Sequence, residues 1–403
     1  MKKLTILLCA VAIHLTCTSQ NYAPFLKKNG KYIFVYMLEK KPAFEKEYDD
    51  VRPFSDGMAW VKRGNEQGYI DNKGNEIAFN KYETYPDFSN GVAAVSIKGK
   101  YGFIDRTGKE ITPLRYGDVK KFSEGFCAVR DHQYWGFVDS TGKEICITGT
   151  NFEYKEAWAF HNGYAKVQLL AGGKFTYVDK TGKQMGGLQF RDARDFSEGL
   201  AAVEVMADVD YRYGFIDVSG KFVIPAKYKA AWRFSDGIAV VTKENNKQAL
   251  IDKNGKEIAD FSYKNESGYY HGLVAVKYDG KFSFVNNKGK LVKYEGEAYG
   301  LPGEGLVYLK KLDKQGERMC LVFNNEMQPV SDFLYEFVFD FHDGWARVKR
   351  NGGKTGFINK AGKEMIPVQY YSAKDFSNGF AKVSDMTGKN FYIDVFGREF
   401  FEK

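Results

Sequence analysis

The stretch Phe88-Ser89-Asn90-Gly91-Val92-Ala93-Ala94-Val95 decides the fold, because variants of it recur along the whole chain. Two of these variants begin Phe122-Ser123-Glu124-Gly125 and Phe196-Ser197-Glu198-Gly199. The glycine of this first signature returns every 33 to 39 residues, at Gly57, Gly91, Gly125, Gly163, Gly199, Gly237, Gly272, Gly305, Gly344 and Gly379. Self-similarity at such a spacing indicates about ten tandem structural repeats.

A second signature follows each first one. It consists of an aromatic residue, a glycine, a second aromatic residue, Ile or Val, and Asp, as in Tyr101-Gly102-Phe103-Ile104-Asp105. Residues 135–139 and 213–217 repeat it, and a turn with a basic residue comes next, as in Arg106-Thr107-Gly108-Lys109. With 27 Tyr, 33 Phe and 42 Gly, the composition is typical of many short strands joined by tight turns.

The first signature predicts a turn followed by a strand, which we call strand A. Its short polar residue is predicted to bond local amides and its glycine to adopt positive φ. The second and fourth residues after the glycine face the same side of strand A, because side chains alternate with period two. They are Ala59 and Val61, Ala93 and Val95, Ala165 and Val167, Ala201 and Val203, Ala239 and Val241, Ala346 and Val348, and Ala381 and Val383. Such a face suits the close approach of a neighbouring repeat.

The second signature predicts strand B, whose glycine lets a large aromatic side chain from another strand lie across it. A third short strand follows, as in Glu110-Ile111-Thr112-Pro113, and its proline marks the end of the strand. Each repeat is therefore predicted to be a three-stranded antiparallel meander. Because one repeat is too small to fold alone, the repeats are expected to share one continuous core.

The two ends of the array are atypical. Residues 31–35 look like a strand B without its own strand A, so we assign residues 20–53 to an N-terminal cap with a partial repeat and residues 54–403 to the array. The degenerate copy around Gly305 is predicted to mark a bend or a sub-array boundary near residues 295–340. The predicted fold is an all-β tandem array of elongated or superhelical shape, and the alternative is a propeller-like closed or partly closed ring.

The dipeptide Trp135-Gly136 and its variants Tyr101-Gly102 and Tyr213-Gly214 resemble the WG repeat family of bacterial proteins. The resemblance covers nearly the whole chain after its N-terminal leader. It implies an all-β tandem array, often exported, with no established enzymatic activity and a binding or scaffolding role. Most copies here carry Tyr or Phe in place of Trp, which argues against the tryptophan itself as a ligand platform.

Residues 1–19 are predicted to be a signal peptide. The segment begins with the basic Lys2 and Lys3, continues with an apolar stretch too short to span a bilayer comfortably, and leads to cleavage before Gln20. In the alternative, Cys17 is lipidated and anchors the protein to the envelope, although the residues before it fit a lipobox poorly. The protein is therefore predicted to be exported and to be periplasmic, extracellular or an envelope-anchored lipoprotein, with a membrane as partner only if Cys17 is lipidated.

The charge of the chain argues against nucleic-acid binding, and its cysteines argue against a disulfide framework or a zinc site. The formal net charge is +8, to which Lys2 and Lys3 contribute, and no Lys/Arg-rich run or basic helix appears, so nucleic acid is not an expected partner. Outside the leader, Cys127, Cys146 and Cys320 are odd in number and widely spaced, which predicts neither a disulfide framework nor a zinc site. Cys127 occupies a slot that other repeats fill with Ala and is predicted to be a small buried residue.

The aspartates that end strand B invite an interpretation as calcium ligands or catalytic carboxylates. They are Asp71, Asp105, Asp139, Asp179, Asp217, Asp252 and Asp394. A glycine three residues later, and Asn286, Asn324 and Asn359 in the same slot of other repeats, favour a turn capped by an Asx bond.

The histidines invite a metal-site interpretation. His161 and His342 occupy the turn slot usually held by Ser but five repeats apart, His271 lies one place later, and His132 lies in an A–B turn. They would converge only in a closed ring, so no metal site is predicted. No catalytic residue, cofactor or ligand-binding residue is assigned.

Two further sets of residues are candidates for contact with a partner. Seven lysines each follow a turn glycine and are predicted to form a basic edge that either prevents aggregation or docks acidic glycans, lipid headgroups or an acidic protein: Lys109, Lys143, Lys183, Lys221, Lys256, Lys290 and Lys363. The third position after the first-signature glycine varies, which predicts either a core edge or a partly exposed face that sets specificity: Trp60, Ala94, Lys166, Val240, Tyr308, Arg347 and Lys382.

No nucleophile elbow, phosphate loop, HExxH motif or Rossmann pattern appears in the sequence. We therefore expect a non-enzymatic exported repeat protein that presents an extended surface to a protein, peptide or glycan partner. The alternatives are a propeller-like enzyme that acts on glycans, with carboxylates gathered at a central channel, and an envelope-anchored lipoprotein scaffold.

Overall fold

The computed structural model describes residues 22–145, 154–261, 265–270, 273–278, 281–286, 288–293, 298–303, 306–312, 318–324, 326, 328–330, 335–350 and 352–402. The predicted leader with Cys17, and also Cys146 and His271, lie outside the described residues. All regular elements within these ranges are β-strands. No helix in this part of the chain has the length and apolar character needed to cross a membrane.

The strands fall into an N-terminal unit and units 1 to 10, which follow one another along the chain. The N-terminal unit has β1 (Tyr22–Leu26) and β2 (Tyr32–Tyr36), unit 1 has β3 (Asp50–Val51), β4 (Met58–Arg63), β5 (Glu66–Asp71) and β6 (Glu76–Ile77), and unit 2 has β7 (Val92–Ile97) and β8 (Lys100–Asp105). Unit 3 has β9 (Asp118–Val119), β10 (Phe126–Asp131), β11 (Tyr134–Asp139) and β12 (Glu144–Ile145), and unit 4 has β13 (Tyr154–His161), β14 (Tyr164–Leu169) and β15 (Phe175–Asp179). Unit 5 has β16 (Asp192–Ala193), β17 (Leu200–Ala207), β18 (Asp210–Asp217) and β19 (Phe222–Tyr228), and unit 6 has β20 (Ala230–Ala231), β21 (Ile238–Thr242), β22 (Gln248–Asp252) and β23 (Glu257–Phe261).

The remaining units continue the series. Unit 7 has β24 (Asn265–Tyr270), β25 (Leu273–Tyr278), β26 (Lys281–Asn286) and β27 (Leu291–Lys293), and unit 8 has β28 (Ala298–Gly303), β29 (Leu306–Leu312) and β30 (Arg318–Asn324). Unit 9 has β31 (Phe337–His342), β32 (Trp345–Arg350), β33 (Lys354–Asn359) and β34 (Glu364–Tyr370), and unit 10 has β35 (Ser372–Ala373), β36 (Phe380–Ser384), β37 (Asn390–Asp394) and β38 (Glu399–Phe400).

A complete unit is an antiparallel sheet whose strands lie side by side in chain order, as in β16-β17-β18-β19 of unit 5. The three-stranded meander of the prediction is therefore present, but a fourth strand precedes it. This inner strand is only two residues long in unit 5, where Ala193 pairs with Val203. The prediction missed it because two residues show no periodicity.

The core lies between consecutive units, as predicted, but it consists of separate clusters at the interfaces and not of one continuous core. Every Ala and Val of the predicted strand-A face is at most 2% exposed. In units 1 to 6 and in unit 10, the Phe of the first signature packs against an aromatic ring of strand B in the preceding unit. Phe234, for example, is fully buried, and its ring centroid lies 4.8 Å from that of Phe215. Packing of this kind ties each unit to the next.

Strand B needs its glycine because other atoms come too close to leave room for a Cβ. At most of these glycines, however, those atoms do not belong to the predicted aromatic ring. Among Gly68, Gly102, Gly214 and Gly356, an added Cβ would meet a ring at Gly68 alone, that of Phe79. At Gly214 the Cβ would lie 2.7 Å from the Ile224 carbonyl oxygen and 2.7 Å from the Ala226 amide nitrogen. These are backbone atoms of β19, at an irregular point of its pairing with β18. The glycine thus admits the third strand itself.

We expect Gly214→Ala to lower the free energy of unfolding by about 1–3 kcal/mol, because backbone atoms cannot yield to the new methyl group without disturbing the β18–β19 pairing. Urea unfolding followed by tryptophan fluorescence measures the change. Ala249→Gly at the same slot of unit 6 is the control and should cost about 1 kcal/mol or less. An unchanged midpoint for Gly214→Ala would contradict the close approach.

The N-terminal unit does have its own strand A, contrary to the prediction. β1 pairs antiparallel with β2, with Ala23 opposite Val35, and both residues are fully buried. The sequence pattern missed β1 because no Phe-Ser-Xaa-Gly signature precedes it.

The ends of the array pack against each other, which contradicts the predicted elongated or superhelical shape and supports the ring alternative. Leu26 forms a parallel bridge with Phe401. The Tyr392 hydroxyl donates to the Val51 carbonyl at 2.8 Å, and one core cluster contains residues of the N-terminal unit and of units 1, 9 and 10. The C-terminal segment pairs with the end of β1, because Phe401 and Glu402 lie beside Leu26. The N-terminal unit therefore packs against unit 10 and covers it.

The degenerate copy around Gly305 still forms a sheet, since β28, β29 and β30 pair in order. It shows no break toward unit 9, because Val322 lies in one core cluster with Val348 and Cys320 forms a bridge with Tyr335.

Candidate functional site

The first signature forms a two-residue hairpin turn in which both central residues have positive φ. In unit 1 the values are 53° for Asp56 and 80° for Gly57, and Ser55 and Met58 exchange two backbone hydrogen bonds of 2.8 and 3.0 Å. This is the geometry of a type I′ turn, which favours Asn or Asp followed by Gly. The predicted positive φ of the glycine is confirmed.

The polar side chains of this turn bond the next unit, whereas the prediction had them bond local amides. The Ser197 hydroxyl donates to the Phe234 carbonyl at 2.7 Å, and the Glu198 carboxylate accepts from the Gly237 amide at 3.1 Å. Other units repeat one or both bonds, through Ser55 to Phe88, Asp56 to Gly91, Ser123 to Phe160, Glu124 to Gly163 and Asn162 to Gly199. The prediction failed because a local and a neighbouring acceptor explain the same residue types.

A cavity of about 1110 Å³ lies where the inner strands and these turns meet. Units 1, 2, 3, 9 and 10 all contribute to its lining. The lining residues are Arg52, Ser55, Gln67, Glu83, Thr84, Tyr85, Pro86, Asp87, Phe88, Ser89, Val92, Ala94, Tyr101, Val119, Lys120, Lys121, Phe122, Asp343, Ser377 and Asn378. A concave site of this size holds a small ligand or a few residues of a polymer.

The principal charges at the cavity wall are already partnered by the protein. Arg52 donates to the Tyr85 carbonyl at 2.9 Å and to Asp87 at 3.1 Å. Lys120 donates to Glu156 and to the Ala157 carbonyl, both at 2.6 Å. Besides these pairs the wall carries the exposed charges of Glu83 and Lys121, and its other polar groups are mainly hydroxyls and amides.

The variable third position shapes the cavity wall beside unit 2, although units 3 and 5 carry an alanine there too, Ala128 and Ala202, and both of these are buried. In unit 4 this position is Lys166, which lies over the Trp158 ring at 4.3 Å and donates to the Ala193 carbonyl of the next unit at 3.2 Å. In unit 9 Arg347 fills the corresponding gap and donates to the Ala373 carbonyl at 3.1 Å. Unit 2 has only Ala94 there, and this small side chain lines the cavity.

Of the two alternatives for the third-position residues, the structure favours the core edge, since most of them lie in contacts between units. Trp60, Ala94, Lys166, Tyr308, Arg347 and Lys382 are partly buried, and Val240 is fully buried. Burial lowers the pKa of Lys166 despite the nearby Asp195. Of the predicted set, only Ala94 opens onto the cavity.

The strand-B aspartates cap turns, as predicted. Asp217 Oδ1 accepts from the Ser219 amide at 2.8 Å and from the Lys221 amide at 3.1 Å. Asn286 makes the same two bonds, at 3.0 Å each, to Lys288 and Lys290. The hydrogen bond from the Ser219 hydroxyl, aided by these amides and opposed by burial, holds the pKa of Asp217 below its usual value.

We expect the stability difference between the wild type and Asp217→Asn to be larger at pH 7 than at pH 3. A carboxyl whose pKa is lowered in the folded state stabilises it above the unfolded value of about 4, and this contribution is lost as the pH falls through the folded pKa. Asparagine keeps the turn, as Asn286 does, but does not titrate. Thermal melts of both proteins at the two pH values measure the difference, and an equal gap would contradict the assignment.

The histidines are not brought together. His132 is paired with Asp131 at 2.9 Å and its side chain is 89% exposed, and His342 lies 3.8 Å from Asp375. His161 is exposed at the end of β13. Among the described side chains, no group of three or more His, Cys, Asp or Glu residues is placed to hold a metal ion.

The seven predicted lysines are all exposed in the turns that follow strand B. Their amides cap the turn, as with Lys109 and Asp105 at 3.1 Å. None of the seven forms a salt bridge with another described residue.

Cys127 is buried, as predicted, and burial raises its pKa to about 12.

A contact that the prediction missed joins the connector tyrosine of one unit to a glutamate of the next sheet. The Tyr116 hydroxyl, which is fully buried, donates to Glu144 at 2.7 Å, and Tyr82 makes the same bond to Glu110 at 3.1 Å. The recurrent Gly-Lys-Glu after strand B and the periodic tyrosine were the available signals.

Comparison with solved structures finds chains that cover most of this one at low identity. A eukaryotic initiation factor is 9% identical, with 80% of this chain and 98% of that chain covered and a TM-score of 0.42. BamB from Moraxella catarrhalis is 11% identical (77% and 91% covered, TM-score 0.28), and the WD40 domain of Toxoplasma gondii coronin is 15% identical (68% and 87% covered, TM-score 0.30). With TM-scores this low we draw nothing from these likenesses.

No curated protein matches the chain by sequence. The model of the WG containing repeat matches residues 39–66, 68–101, 101–133, 135–174, 175–205, 213–247, 250–282, 322–354 and 356–389, which together make up more than half of the chain. These segments carry the two signatures, the inter-unit hydrogen bonds and the capped turns described above. The chain therefore belongs to the family of WG-containing repeat proteins.

Proposed function

We propose that this protein is an exported, non-enzymatic binding protein and that a protein, peptide or glycan partner binds in the cavity beside unit 2. The observation that carries the proposal is the cavity itself, about 1110 Å³ in volume and lined by five units. In units 4 and 9 a long side chain, Lys166 or Arg347, crosses the corresponding position to the next unit. An empty gap costs the van der Waals contacts that a filling side chain would make, and a bound partner would restore such contacts.

The acidic groups at the cavity favour binding over catalysis. A glycan-active enzyme needs two convergent carboxyl groups with separated pKa values. Asp87 is instead held by Arg52 at 3.1 Å, and Asp343 accepts from the Asn378 amide at 3.2 Å. Both acids thus have structural partners that hold them in place.

A photo-crosslinking amino acid at Lys121, an exposed residue of the cavity wall, tests this function. We expect irradiation in envelope extracts to attach one specific partner at Lys121. The same amino acid at Lys227, which is exposed on β19 far along the chain, should not capture that partner. Absence of capture at Lys121, or equal capture at both positions, would refute the proposal.

An envelope-anchored form is a second candidate, and the path of the chain favours it. The Tyr22 hydroxyl donates to the Asn72 carbonyl at 3.0 Å, so the chain enters the ring at the edge that carries the strand-B turns and their lysines. Lipid at Cys17 would then set this basic edge toward anionic headgroups. Mass spectrometry of the exported protein decides between a lipidated N-terminal Cys17 and a free terminus at Gln20.

A further inference from the structure

We propose that the cavity binds an uncharged oligosaccharide, with the Tyr101 ring as the platform on which one sugar ring stacks. This inference rests on the proposed function, because it names the chemical class of ligand for the same site. It is carried by a comparison of the interfaces within the ring, which share one geometry and differ in how the gap at the inner end of each sheet is filled.

Tyr101 is the first residue of the second signature, and its counterparts in other units are covered. Trp135 is 5% exposed beneath Lys120, whose ammonium lies 4.5 Å from a ring centroid. Tyr213 is 8% exposed and its hydroxyl donates to Asp192 at 2.6 Å. In unit 4, Phe175 lies under Trp158, with their ring centroids 5.9 Å apart. The protein thus covers this ring in units 3, 4 and 5.

In unit 2 the ring is left open. Tyr101 is partly exposed and lines the cavity, and beside it Ala94 adds only a methyl group to the packing against unit 3. An aromatic face beside a methyl group presents an apolar, flat surface. The carbon-bound hydrogens on one face of a pyranose ring match such a surface.

The remaining lining suits the hydroxyl groups of a sugar. Its uncharged polar residues are Ser55, Gln67, Thr84, Ser89, Ser377 and Asn378. Thr84 and Ser89 are exposed on the inner strand and turn of unit 2. These groups both donate and accept hydrogen bonds, as the many hydroxyls of a sugar require. The lining carries three basic residues, Arg52, Lys120 and Lys121, and three acidic ones, Glu83, Asp87 and Asp343, so it has no net charge to attract a strongly charged peptide.

The volume supports a short oligomer. A cavity of about 1110 Å³ exceeds what one monosaccharide needs and lies at the upper end of ordinary ligand pockets. Because turns of units 9 and 10 close its far side, the ligand would also contact both ends of the chain. Binding should therefore stabilise the closed ring.

The test uses the purified full-length mature protein and a panel of uncharged tetrasaccharides built from glucose, N-acetylglucosamine, mannose or galactose. Isothermal titration calorimetry and saturation-transfer NMR report binding. We expect at least one tetrasaccharide to bind and to raise the melting temperature. Tyr101→Ala should weaken it by about tenfold or more, whereas Tyr101→Phe, which keeps the ring, should stay within about threefold.

Ala94→Trp is the decisive variant, because it gives unit 2 the residue that unit 1 carries as Trp60. It should fill the gap, cover Tyr101 and abolish binding while the melting temperature without ligand is retained. Tyr371→Ala removes a 63% exposed aromatic side chain that does not line the cavity, and it should bind as the wild type does.

The possible results separate this inference from the proposed function. If no uncharged tetrasaccharide binds at millimolar concentration, or if Ala94→Trp binds as tightly as the wild type, the oligosaccharide assignment is wrong. If crosslinking at Lys121 then still captures a protein, the proposed function stands with a polypeptide ligand. Binding lost in Tyr101→Ala and Ala94→Trp, and kept in Tyr371→Ala, supports both.

Discussion

Phe234→Ala is expected to lower the free energy of unfolding by about 3–5 kcal/mol, the usual cost of removing a fully buried phenylalanine ring. Phe234 is fully buried, and its ring centroid lies 4.8 Å from that of Phe215 of the preceding unit, with the two rings tilted. The truncation leaves a cavity at the interface of units 5 and 6, where the rigid strands on both sides cannot close it. Chemical unfolding monitored by circular dichroism measures the loss.

The matched control is Phe396→Ala in unit 10, whose ring is 75% exposed. Its effect should lie within about 0.5 kcal/mol of zero. Because consecutive units are coupled, Phe234→Ala should also increase hydrogen exchange in strands on both sides of the interface, in β18 and β21. Exchange confined to unit 6 would show that the units are stabilised independently, against the shared core.

The local structure of a repeat could be predicted because its signals are local. The alternation of Ala and Val along strand A, the positive φ of Gly57 and the Asx cap at Asp217 each depend on a few adjacent residues. The inner strand and β1 escaped prediction for the same reason. The first is two residues long, and the second lacks the turn signature that precedes every other strand A.

The bonds between units were predictable in part. Glu124 and Glu198 share the turn slot with Asp56 and Asn90. A glutamate side chain is longer than an Asx cap requires, so its presence in this slot indicated an acceptor role beyond the turn itself. A sequence comparison within the chain could therefore have found this contact.

The ring shape could not be predicted from the sequence. Closure depends on the sum of small rotations between units, and each rotation is set by packing across an interface. The cavity depends on closure, since Asp343 and Ser377 reach it only when the ends meet. The variable third position identified Ala94 as a candidate, but its empty gap becomes evident only beside the filled gaps at Lys166 and Arg347.

Deletion of residues 399–403 is expected to open the ring, and it is the largest single change we predict. Phe400 is fully buried, with its ring centroid 5.7 Å from that of Phe380, and the Glu402 amide donates to the Leu26 carbonyl at 2.8 Å. The loss of the Phe400 ring alone should cost about 3–5 kcal/mol. Without the bridge from Phe401 to Leu26, the N-terminal unit loses its cover on one side.

Solution scattering and limited proteolysis measure the opening. The closed ring should have a radius of gyration close to the compact-domain relation, about 21 Å for a chain of this length, and the deletion should raise it. Proteases should then cleave first within residues 22–48. An unchanged radius and an intact N-terminal unit after the deletion would show that the C-terminal segment does not close the ring.

A pair of conservative variants tests the same closure without removing chain. The Tyr392 hydroxyl bonds the Val51 carbonyl at 2.8 Å across the closure, and the Tyr69 hydroxyl bonds the Pro86 carbonyl at 2.5 Å inside the array. If the closing interface is equivalent to an internal one, Tyr392→Phe and Tyr69→Phe should each cost about 1 kcal/mol. An open array would make Tyr392→Phe neutral while Tyr69→Phe still cost stability, because only the internal interface would then exist.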